Sequence, residues 1–561
     1  MRKKYLDIIE IVFGAYTHEH IKKYTQSVID DGLKEHGFPR LTANLGILIA
    51  NGRKTELKAD FIKMMDLCCR EIPVAHGKHG YVVGNDFSVK EIIFCLLEVE
   101  KSGVVDKAVT EEWRKQLASI DPYETYSAIA RGAIEPVGNW AAFGAASEVL
   151  RRFAGIADEN QFIEEQIESQ LSAFDENGMY RDPAEPMVYD FVTRLQLAVA
   201  LYFGYDGQYR KRLEDEFKKS EDLTLYMQSV TGEIPYGGRS NQFLHNETFY
   251  AALCEFYADS LKKQGDLKKA GMFKRAARLA VENTEKWLNK EEITHIKNSY
   301  DFNSMFGCEG YAYFDKYMVT TASWLYIAYT MCDESIEEVA CPAEDENYIA
   351  ETSTDFHKVF VKHGDYCVEY DSGADYHYDA SGIGRIHKKN TPSAICLSVP
   401  VTDTPNYCID IDNPSPLSLS GGIKTREGYQ YSFDRETKHS LIEKKTTEDF
   451  SFVKFECITK SGISFTESFM VSKDGVIITV EGDGDLEVTI PVFVTDGKKQ
   501  TEITYSDIGI SVEYNGYICR YETSDILKKS NKIYANRNGH YERIIVSGKD
   551  KISLKINIDK I

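Results

Sequence analysis

ETFYAALCEFYADSLKK at 247–263 and AGMFKRAARLAVENTEKWL at 270–288 are two segments in which apolar residues recur at three- and four-residue spacing. This spacing places the apolar side chains on one face of a helix. The stretch KKQGD at 262–266 interrupts the pattern with a glycine and leaves only a short connection. Helices joined by so short a connection pack antiparallel, so the sequence predicts a helical hairpin here.

The same pattern extends over residues 1–335. Further segments of this kind are YLDIIEIVFGAY (5–16), EIIFCLLEVEKSG (91–103), AAFGAASEVLRRFAG (141–155) and FVTRLQLAVALYFG (191–204). We expect about eleven helices, or roughly six hairpins, which can close into an (α/α)6 toroid. A helical solenoid is the alternative, and the lack of a fixed-period repeat disfavours it.

The character of the sequence changes after residue 335. An acidic, proline-containing segment at 336–350 is predicted to be a linker. Over 351–561, segments such as FVKFECITKS (452–461) and LEVTIPVFVT (486–495) are rich in β-branched and aromatic residues and have the pattern of strands. We therefore predict an α+β multidomain chain, with a helical toroid followed by an antiparallel β-sandwich.

The composition excludes several classes of partner. The 561 residues include 66 Lys and Arg against 88 Asp and Glu, a net charge of −22, which disfavours nucleic acid and anionic membrane surfaces. The 12 cysteines form no Cys-x-x-Cys pair and no zinc-type spacing, so we expect no metal or other cofactor. Asp7 and Glu10 interrupt the N-terminal apolar run, which therefore predicts an amphipathic helix rather than a signal peptide. We expect a soluble, cytoplasmic protein, and the sequence leaves its oligomeric state open.

Two polar clusters lie where predicted helices begin. Asn139 and Trp140 open one helix, where Asn139 is either its N-cap or, with Trp140, part of a sugar-stacking platform. Tyr189 and Asp190 open another, and Arg194 follows one turn later on the same face. Asp190 can act as a cap, form an ion pair with Arg194, or lie with Tyr189 at the mouth of the ring.

The densest polar cluster lies in TGEIPYGGRSNQFLHNETFYAAL at 231–253. It holds Tyr236 and then six polar residues within nine positions: Arg239, Asn241, Gln242, His245, Asn246 and Glu247. Helix capping accounts for one or two of these groups, so the sequence predicts a functional site here. Arginine is well suited to bind a carboxylate in bidentate fashion.

A fourth cluster lies near the start of the predicted sandwich, in DSGADYHYDASGIGRIHKKN at 371–390. It contains His377, Tyr378, Arg385 and His387. These residues belong either to a β-hairpin that reaches over the open end of the toroid or to an ordinary sandwich loop. The tyrosine-rich stretch at 307–318 is interpreted as packing of the inner ring.

Three of these stretches resemble known families. NGMYRDP…YD at 177–190 is similar to the DG-x-Y-x-E…Y-H element of heparinase II/III-type polysaccharide lyases. GGRSNQF at 237–243 and HYDASGIGRIH at 377–387 look closer to glycoside hydrolase family 154, the β-glucuronidases. The resemblance implies a toroid-plus-sandwich enzyme that acts on uronic acids. One departure is that Asp190, rather than histidine, follows Tyr189.

This departure favours hydrolysis, because an ionised Asp190 would oppose the negative charge that develops in β-elimination. We expect an exo-acting hydrolase that releases a uronic acid from an oligosaccharide or small glycoside. The resemblance implies that this uronic acid is β-linked glucuronate. Asp190 and Glu247 would form its carboxyl pair, with Tyr189 and His245 also in the catalytic set. The expected substrate-binding residues are Asn139, Trp140, Arg194, Tyr236, Arg239, Asn241, Gln242, Asn246, His377, Tyr378, Arg385 and His387.

Two alternatives stay open from the sequence. A lyase would use Tyr189 or Tyr236 as the base, with Asn241 and His245 neutralising the substrate carboxylate. A non-catalytic glycan-binding protein would bind the same ligands without turnover.

Overall fold

The computed structural model describes residues 1–79, 84–126, 138–506 and 508–561. Its helices are α1 (Arg2–Gly14), α2 (His18–Asp31), α3 (Gly37–Ala50), α4 (Lys58–His79), α5 (Val89–Ser102), α6 (Lys107–Leu117), α7 (Pro122–Thr125), α8 (Asn139–Phe153), α9 (Asn160–Gln170), α10 (Met187–Tyr202), α11 (Arg210–Tyr226), α12 (Asn246–Gln264), α13 (Leu267–Leu288), α14 (Phe314–Met331) and α15 (Pro342–Asp345). Among the described residues, none of the helices combines the length and the apolar composition that a bilayer crossing needs.

Within the described residues, six helices close into a ring. In order around the ring they are α3, α5, α8, α10, α12 and α14, and α14 packs against α3 again. Helices α4, α9 and α13 pack outside this ring against α3, α8 and α12. The predicted helical toroid is therefore confirmed.

The hairpin of α12 and α13 shows how the local sequence produces this arrangement. Gly265 adopts φ +91°, a left-handed conformation that ends α12 without steric cost. The carboxylate of Asp266 accepts the Lys269 N–H at 3.0 Å and caps α13. The chain thus reverses within a few residues, as the sequence predicts.

The C-terminal part of the chain is built from antiparallel strands. They are β1 (Tyr348–Glu351), β2 (Lys358–His363), β3 (Tyr366–Asp371), β4 (Gly382–Lys388), β5 (Ser420–Thr425), β6 (Gly428–Tyr431), β7 (Lys438–Thr446), β8 (Phe450–Ile458), β9 (Ser464–Ser472), β10 (Gly475–Thr495), β11 (Glu502–Ser506), β12 (Gly509–Tyr514), β13 (Tyr517–Glu522), β14 (Ile526–Asn536) and β15 (Gly539–Lys560). The segment 336–350 contains α15 and the start of β1.

The strands form two sheets that share one core. Strands β1 to β4 pair in sequence order, and the larger sheet has the order β11-β12-β13-β15-β10-β9-β8-β7, with β14 beside β15 and β5 and β6 beside β10. Tyr370 of the smaller sheet stacks on Phe455 of the larger sheet with ring centroids 3.9 Å apart. Val361 and Val471 are buried in the same cluster. The predicted antiparallel β-sandwich is confirmed.

The turn between β14 and β15 attaches the sandwich to the toroid. Arg537 is fully buried there, and its guanidinium donates to Glu309 Oε1 at 2.6 Å and Oε2 at 2.9 Å. It also donates to the Gly307 carbonyl at 2.8 Å. Asn538 Nδ2 donates to the Lys297 carbonyl at 3.0 Å. A bidentate pair of this kind fixes both partners in position.

We expect Arg537→Met and Glu309→Gln each to lower the free energy of unfolding by about 3–5 kcal/mol, because each variant leaves a buried group without its partner. The double variant should lose much less than the sum of the two. Denaturant unfolding followed by circular dichroism measures all three variants. The exposed pair Arg520 and Asp559, 2.8 Å apart, is the matched control and should contribute about 1 kcal/mol or less. Additive losses at Arg537 and Glu309 would contradict the coupling.

Candidate active site

A cavity of about 310 Å³ lies at the end of the toroid where the six ring helices of the described residues begin. Its lining residues are His36, Arg40, Gly84, Phe87, Asn139, Trp140, Phe143, Val188, Tyr189, Val192, Arg239, Ser240, His245, Phe249, Tyr311, Lys316, Tyr317, Thr320 and Trp324. The N-terminus of a helix carries a partial positive charge. Several such termini therefore face one cavity.

The charges on the cavity wall are all basic. Arg40, Arg239 and Lys316 line it, and no Asp or Glu is among the described lining residues. The whole chain, in contrast, has a net charge of −22. Local positive potential in an acidic protein favours an anionic ligand at this position.

Arg40 and His36 form the first polar group of the cavity. Arg40 Nη1 donates to Thr320 Oγ1 at 2.8 Å and to His36 Nδ1 at 3.1 Å. Because arginine only donates, His36 Nδ1 must accept, and the neutral ring carries its proton on Nε2. Burial, Arg40 and Lys316 lower the pKa of His36 well below its usual value, so the ring is neutral at pH 7.

A buried lysine, Lys90, lies behind the cavity wall. Lys90 is fully buried, with Nζ 4.6 Å from the ring centroid of Trp324. Nζ donates to Glu91 Oε1 at 2.5 Å, and the same carboxylate lies 3.9 Å from Arg40 Nε. Burial lowers the pKa of Lys90 to about 8, although Glu91 opposes this shift. The Glu91 carboxylate thus lies beside two buried cations, Lys90 and Arg40.

Three hydroxyl groups form a chain along the other wall. Ser240 Oγ lies 3.1 Å from the Tyr189 hydroxyl and 2.8 Å from the Tyr311 hydroxyl, both within hydrogen-bonding distance. Desolvation raises the pKa of Tyr311 well above 10, and the neighbouring Tyr189 and Glu309 add to the shift. Tyr311 is therefore a phenol at neutral pH.

The backbone of Ser240 is held in an unusual conformation. Its φ is +59°, in the left-handed region that few non-glycine residues occupy. The Ser240 N–H donates to Glu309 Oε1 at 2.6 Å, and Glu309 is the carboxylate that binds Arg537. Strained residues of this kind cluster at functional sites.

Arg239 lies against the ring of Tyr189. Its guanidinium carbon is 4.2 Å from the Tyr189 ring centroid. Nη1 donates to the Pro183 carbonyl at 2.6 Å, and Nη2 is hydrogen-bonded to Asp182. Asp182 also accepts the Asn139 N–H at 2.9 Å. These contacts hold the cation over the phenol ring.

His245 lies just before α12 and stacks on Phe243, with centroids 5.3 Å apart and planes within 8°. It is 7% exposed, and its Nδ1 has no hydrogen-bond partner. Burial and the cationic Arg40 lower the pKa of His245 well below its usual value. The cavity thus holds a neutral ring with an unsatisfied polar atom.

Asp190 and Arg194 lie outside the cavity lining, in a buried ion pair. Arg194 Nε donates to Asp190 Oδ1 at 2.8 Å, and Nη2 also contacts the carboxylate. Asp190 accepts the Tyr180 N–H at 2.7 Å, while Arg194 donates to Tyr257 at 3.0 Å. Both side chains are fully buried. Of the roles that the sequence left open for Asp190, the structure shows the ion pair with Arg194.

Glu247 also lies outside the cavity lining. It is fully buried and accepts from Lys297 Nζ at 2.6 Å. Burial raises the pKa of Glu247, while Lys297 lowers it. The two carboxyl groups that the sequence predicted as a catalytic pair are therefore each bound to a cation instead of facing the cavity.

Three other predicted residues lie between the toroid and the sandwich. Tyr236 is fully buried, with Lys358 Nζ 3.2 Å from its ring centroid. Arg385 donates to the Ile234 carbonyl at 2.8 Å. His387 Nδ1 is 2.7 Å from Ser229 Oγ, and burial lowers the pKa of His387 to about 3.

The remaining predicted residues brace the loop or lie on the sandwich. Asn241 Oδ1 accepts the Gln242 N–H at 2.7 Å, and Asn246 Nδ2 donates to the Ser240 carbonyl at 3.2 Å. His377 is exposed, and Tyr378 is half-buried. None of these residues is among the cavity lining that the structure describes.

The structure thus brings Tyr189, Arg239, His245, Asn139 and Trp140 together in one cavity. Sequence reasoning missed His36, Arg40, Lys90 and Thr320, and it interpreted the segment of Tyr311, Lys316 and Tyr317 as packing. The available signal was an arginine one turn after a histidine at the start of the otherwise apolar α3. Within the described residues, no group of His, Cys, Asp and Glu side chains is arranged to hold a metal ion.

No protein-family model matches the chain, and no curated protein matches its sequence. Solved structures do match. A heparinase III is similar at 8% identity and a TM-score of 0.48, over 93% of this chain and 78% of that chain. A mutant heparan sulfate lyase from Pedobacter heparinus is similar at 10% identity and a TM-score of 0.40, over 96% and 91%. A glycosyl hydrolase family 88 protein from Bacteroides vulgatus is similar at 11% identity and a TM-score of 0.37, over 59% and 99%.

These structural neighbours include the heparinase type of lyase that the sequence resembles, while membership of glycoside hydrolase family 154 stays a prediction. Identities near 10% and TM-scores below 0.5 leave the activity to be argued from the cavity itself.

Proposed function

We propose that this protein is an enzyme that cleaves uronate-containing glycans by β-elimination at the cavity. The observation that carries the proposal is the set of groups on the wall: tyrosines, neutral histidines and cations, with no carboxyl group among the described lining residues. β-Elimination removes the proton next to the substrate carboxylate, so it needs positive groups to stabilise the growing negative charge.

The substrate carboxylate would bind at Arg40, His36 and His245. Arg40 lines the cavity, and the tautomer of His36 leaves its Nε2–H as a donor. With Arg40 and Arg239, Lys316 brings the number of positive side chains on the described cavity wall to three. A cavity of about 310 Å³ is at the small end of the roughly 300–1,000 Å³ range of ligand sites, which supports action on a terminal sugar residue.

The elimination would use the two tyrosines on the hydroxyl chain. Tyr189, once it has lost its own proton, would take the proton from C5 of the uronate while Arg239 lies against its ring. The electron pair of that C–H bond forms the C4–C5 double bond, and the C4–O bond breaks. Tyr311, which is a phenol, gives its proton to the leaving oxygen. No water is consumed.

Ser240 would restore the starting state. After elimination Tyr189 holds the extra proton and Tyr311 lacks one. Ser240 Oγ is within 3.1 Å of both hydroxyl groups, so a proton can pass from Tyr189 through Ser240 to Tyr311. The net result is transfer of one proton from C5 to the leaving oxygen.

Hydrolysis by Asp190 and Glu247 has less support from the geometry. That mechanism needs two carboxyl groups on either side of the scissile bond. Asp190 is bound by Arg194 and Glu247 by Lys297, and neither lines the cavity.

The first test is the product formed from defined uronate-containing oligosaccharides. We expect new ultraviolet absorbance from the conjugated double bond and fragments whose masses sum to that of the substrate. Absorbance and mass spectrometry measure both. Free uronic acid with added water and no new absorbance would overturn elimination and restore the Asp190 and Glu247 pair.

The second test separates the two tyrosines from their neighbours. Tyr189→Phe and Tyr311→Phe should each lower kcat by about 10²–10⁴-fold, because each removes a proton-transfer group. Tyr313→Phe is the matched control, since Tyr313 and Tyr311 are both 40% exposed but Tyr313 does not line the cavity. Steady-state kinetics on one oligosaccharide measures the three variants. Equal losses in all three, or none at Tyr189, would contradict the assignment.

The third test uses pH. Lys90 is a cation below its pKa of about 8 and neutral above it. KM for an oligosaccharide whose uronate carries a sugar on O4 should therefore rise as pH rises through about 8, because a positive charge behind the cavity wall is lost. Lys90→Met should raise KM at lower pH and abolish this dependence. Lys362→Met is the control, because burial also lowers the pKa of Lys362, which lies in β2 of the sandwich and lines neither cavity. An unchanged profile in Lys90→Met would refute the role of Lys90.

A further inference from the structure

A second cavity, of about 640 Å³, lies between the toroid and the sandwich. It is bordered by the last turn of α13, the loop that follows it, and the turns after β10 and β12. Because α13 runs antiparallel to α12, this last turn lies at the same end of the toroid as the start of α12 and the first cavity. We call the second cavity the junction groove.

The walls of the junction groove combine aromatic rings with side-chain amides. Trp287 and Tyr517 line it, as do Asn283, Asn390 and Asn515. Asn283 is 2% exposed, and its Oδ1 has no hydrogen-bond partner while its Nδ2 donates to the Thr231 carbonyl at 3.1 Å. Flat rings beside amide groups suit a sugar, which has apolar faces and many hydroxyl groups.

Lysines surround these rings. Lys286, Lys290, Lys498 and Lys499 line the groove. Lys290 Nζ lies 4.1 Å from the Trp287 ring centroid and donates to Ser299 Oγ at 2.7 Å. Among the described residues Lys286 makes no ion pair, and Lys499 Nζ binds only the neutral Asn515 Oδ1, at 2.7 Å.

The acidic residues of the groove are already engaged. Asp496 accepts from the Tyr514 hydroxyl at 2.6 Å and from the Lys499 N–H at 2.8 Å. Glu291 and Glu292 are exposed and lie 3.6 and 3.8 Å from Lys498. The charges of Lys286 and Lys499 thus remain available to a ligand.

We propose that the junction groove binds an acidic oligosaccharide, with sugar rings against Trp287 and Tyr517 and acidic groups at Lys286 and Lys499. The groove has about twice the volume of the first cavity, which fits more than one sugar ring. This site is separate from the proposed active site and does not depend on the proposed reaction.

Tryptophan fluorescence distinguishes the two sites. The chain has 4 Trp: Trp140 and Trp324 line the first cavity, Trp287 lines the groove, and Trp113 is fully buried. The probes are hyaluronan hexasaccharide, heparin hexasaccharide and maltohexaose, read within seconds of mixing. The background variant Trp140→Phe/Trp324→Phe removes both tryptophans of the first cavity and keeps Trp287. We expect the acidic probes to change the emission of this variant, but not that of the triple variant that also carries Trp287→Phe.

Charge variants test the acidic class. Lys286→Ala with Lys499→Ala should weaken binding of the acidic probes about tenfold, and added salt should weaken it further. Lys107→Ala with Lys115→Ala, two exposed lysines of α6, removes the same charge elsewhere and should have no effect. The proposal is overturned if maltohexaose binds as tightly as the acidic probes, if the emission change persists in the triple variant, or if millimolar acidic probes leave the emission of Trp140→Phe/Trp324→Phe unchanged.

Discussion

The buried pair of Arg537 and Glu309 is the contact on which the site depends. Arg537 comes from the sandwich and Glu309 from the toroid, and the same carboxylate accepts the N–H of Ser240 at 2.6 Å. The positive φ of Ser240 costs conformational free energy, and without that acceptor no hydrogen bond from its N–H would offset the cost. Since Ser240 joins the hydroxyl groups of Tyr189 and Tyr311, the position of a sandwich residue determines the geometry of a hydroxyl chain in the toroid.

A second feature of the site is that its charged side chains lie at different depths behind the cavity surface. Arg40 faces the cavity, Glu91 lies behind it, and Lys90 lies behind the ring of Trp324. Buried cations are costly to desolvate, and one carboxylate shared by two of them compensates only part of that cost. An arriving anion would stabilise them further, so the protein holds positive charge ready for a ligand in a chain whose net charge is −22.

The fold was predictable because apolar periodicity is a local signal, repeated along the chain. The site was predictable only in part. Of the six polar residues between 239 and 247, Arg239 and His245 line the cavity, while Asn241 and Asn246 brace the loop. The partner of Glu247 is Lys297, 50 positions later, and no local pattern indicates that pairing. His36 and Arg40 lie at the start of an apolar helix. The sequence alone does not show which side chains a buried arginine in such a helix will contact.

The positions of the carboxyl groups bear on whether the cavity favours elimination or hydrolysis. An ionised carboxylate on the cavity wall would repel a uronate and oppose the charge that develops as its C5 proton leaves. The chain has 88 acidic residues, yet Asp182, Glu91 and Glu309 lie outside the described cavity lining and are bound to Arg239, Lys90 and Arg537. Asp182 thereby holds Arg239, Glu91 lies beside Arg40, and Glu309 holds the backbone of Ser240, and these three partners line the cavity. In the proposed elimination, these acids would position the site and the phenols would move the proton, whereas hydrolysis would need two carboxyl groups at the scissile bond.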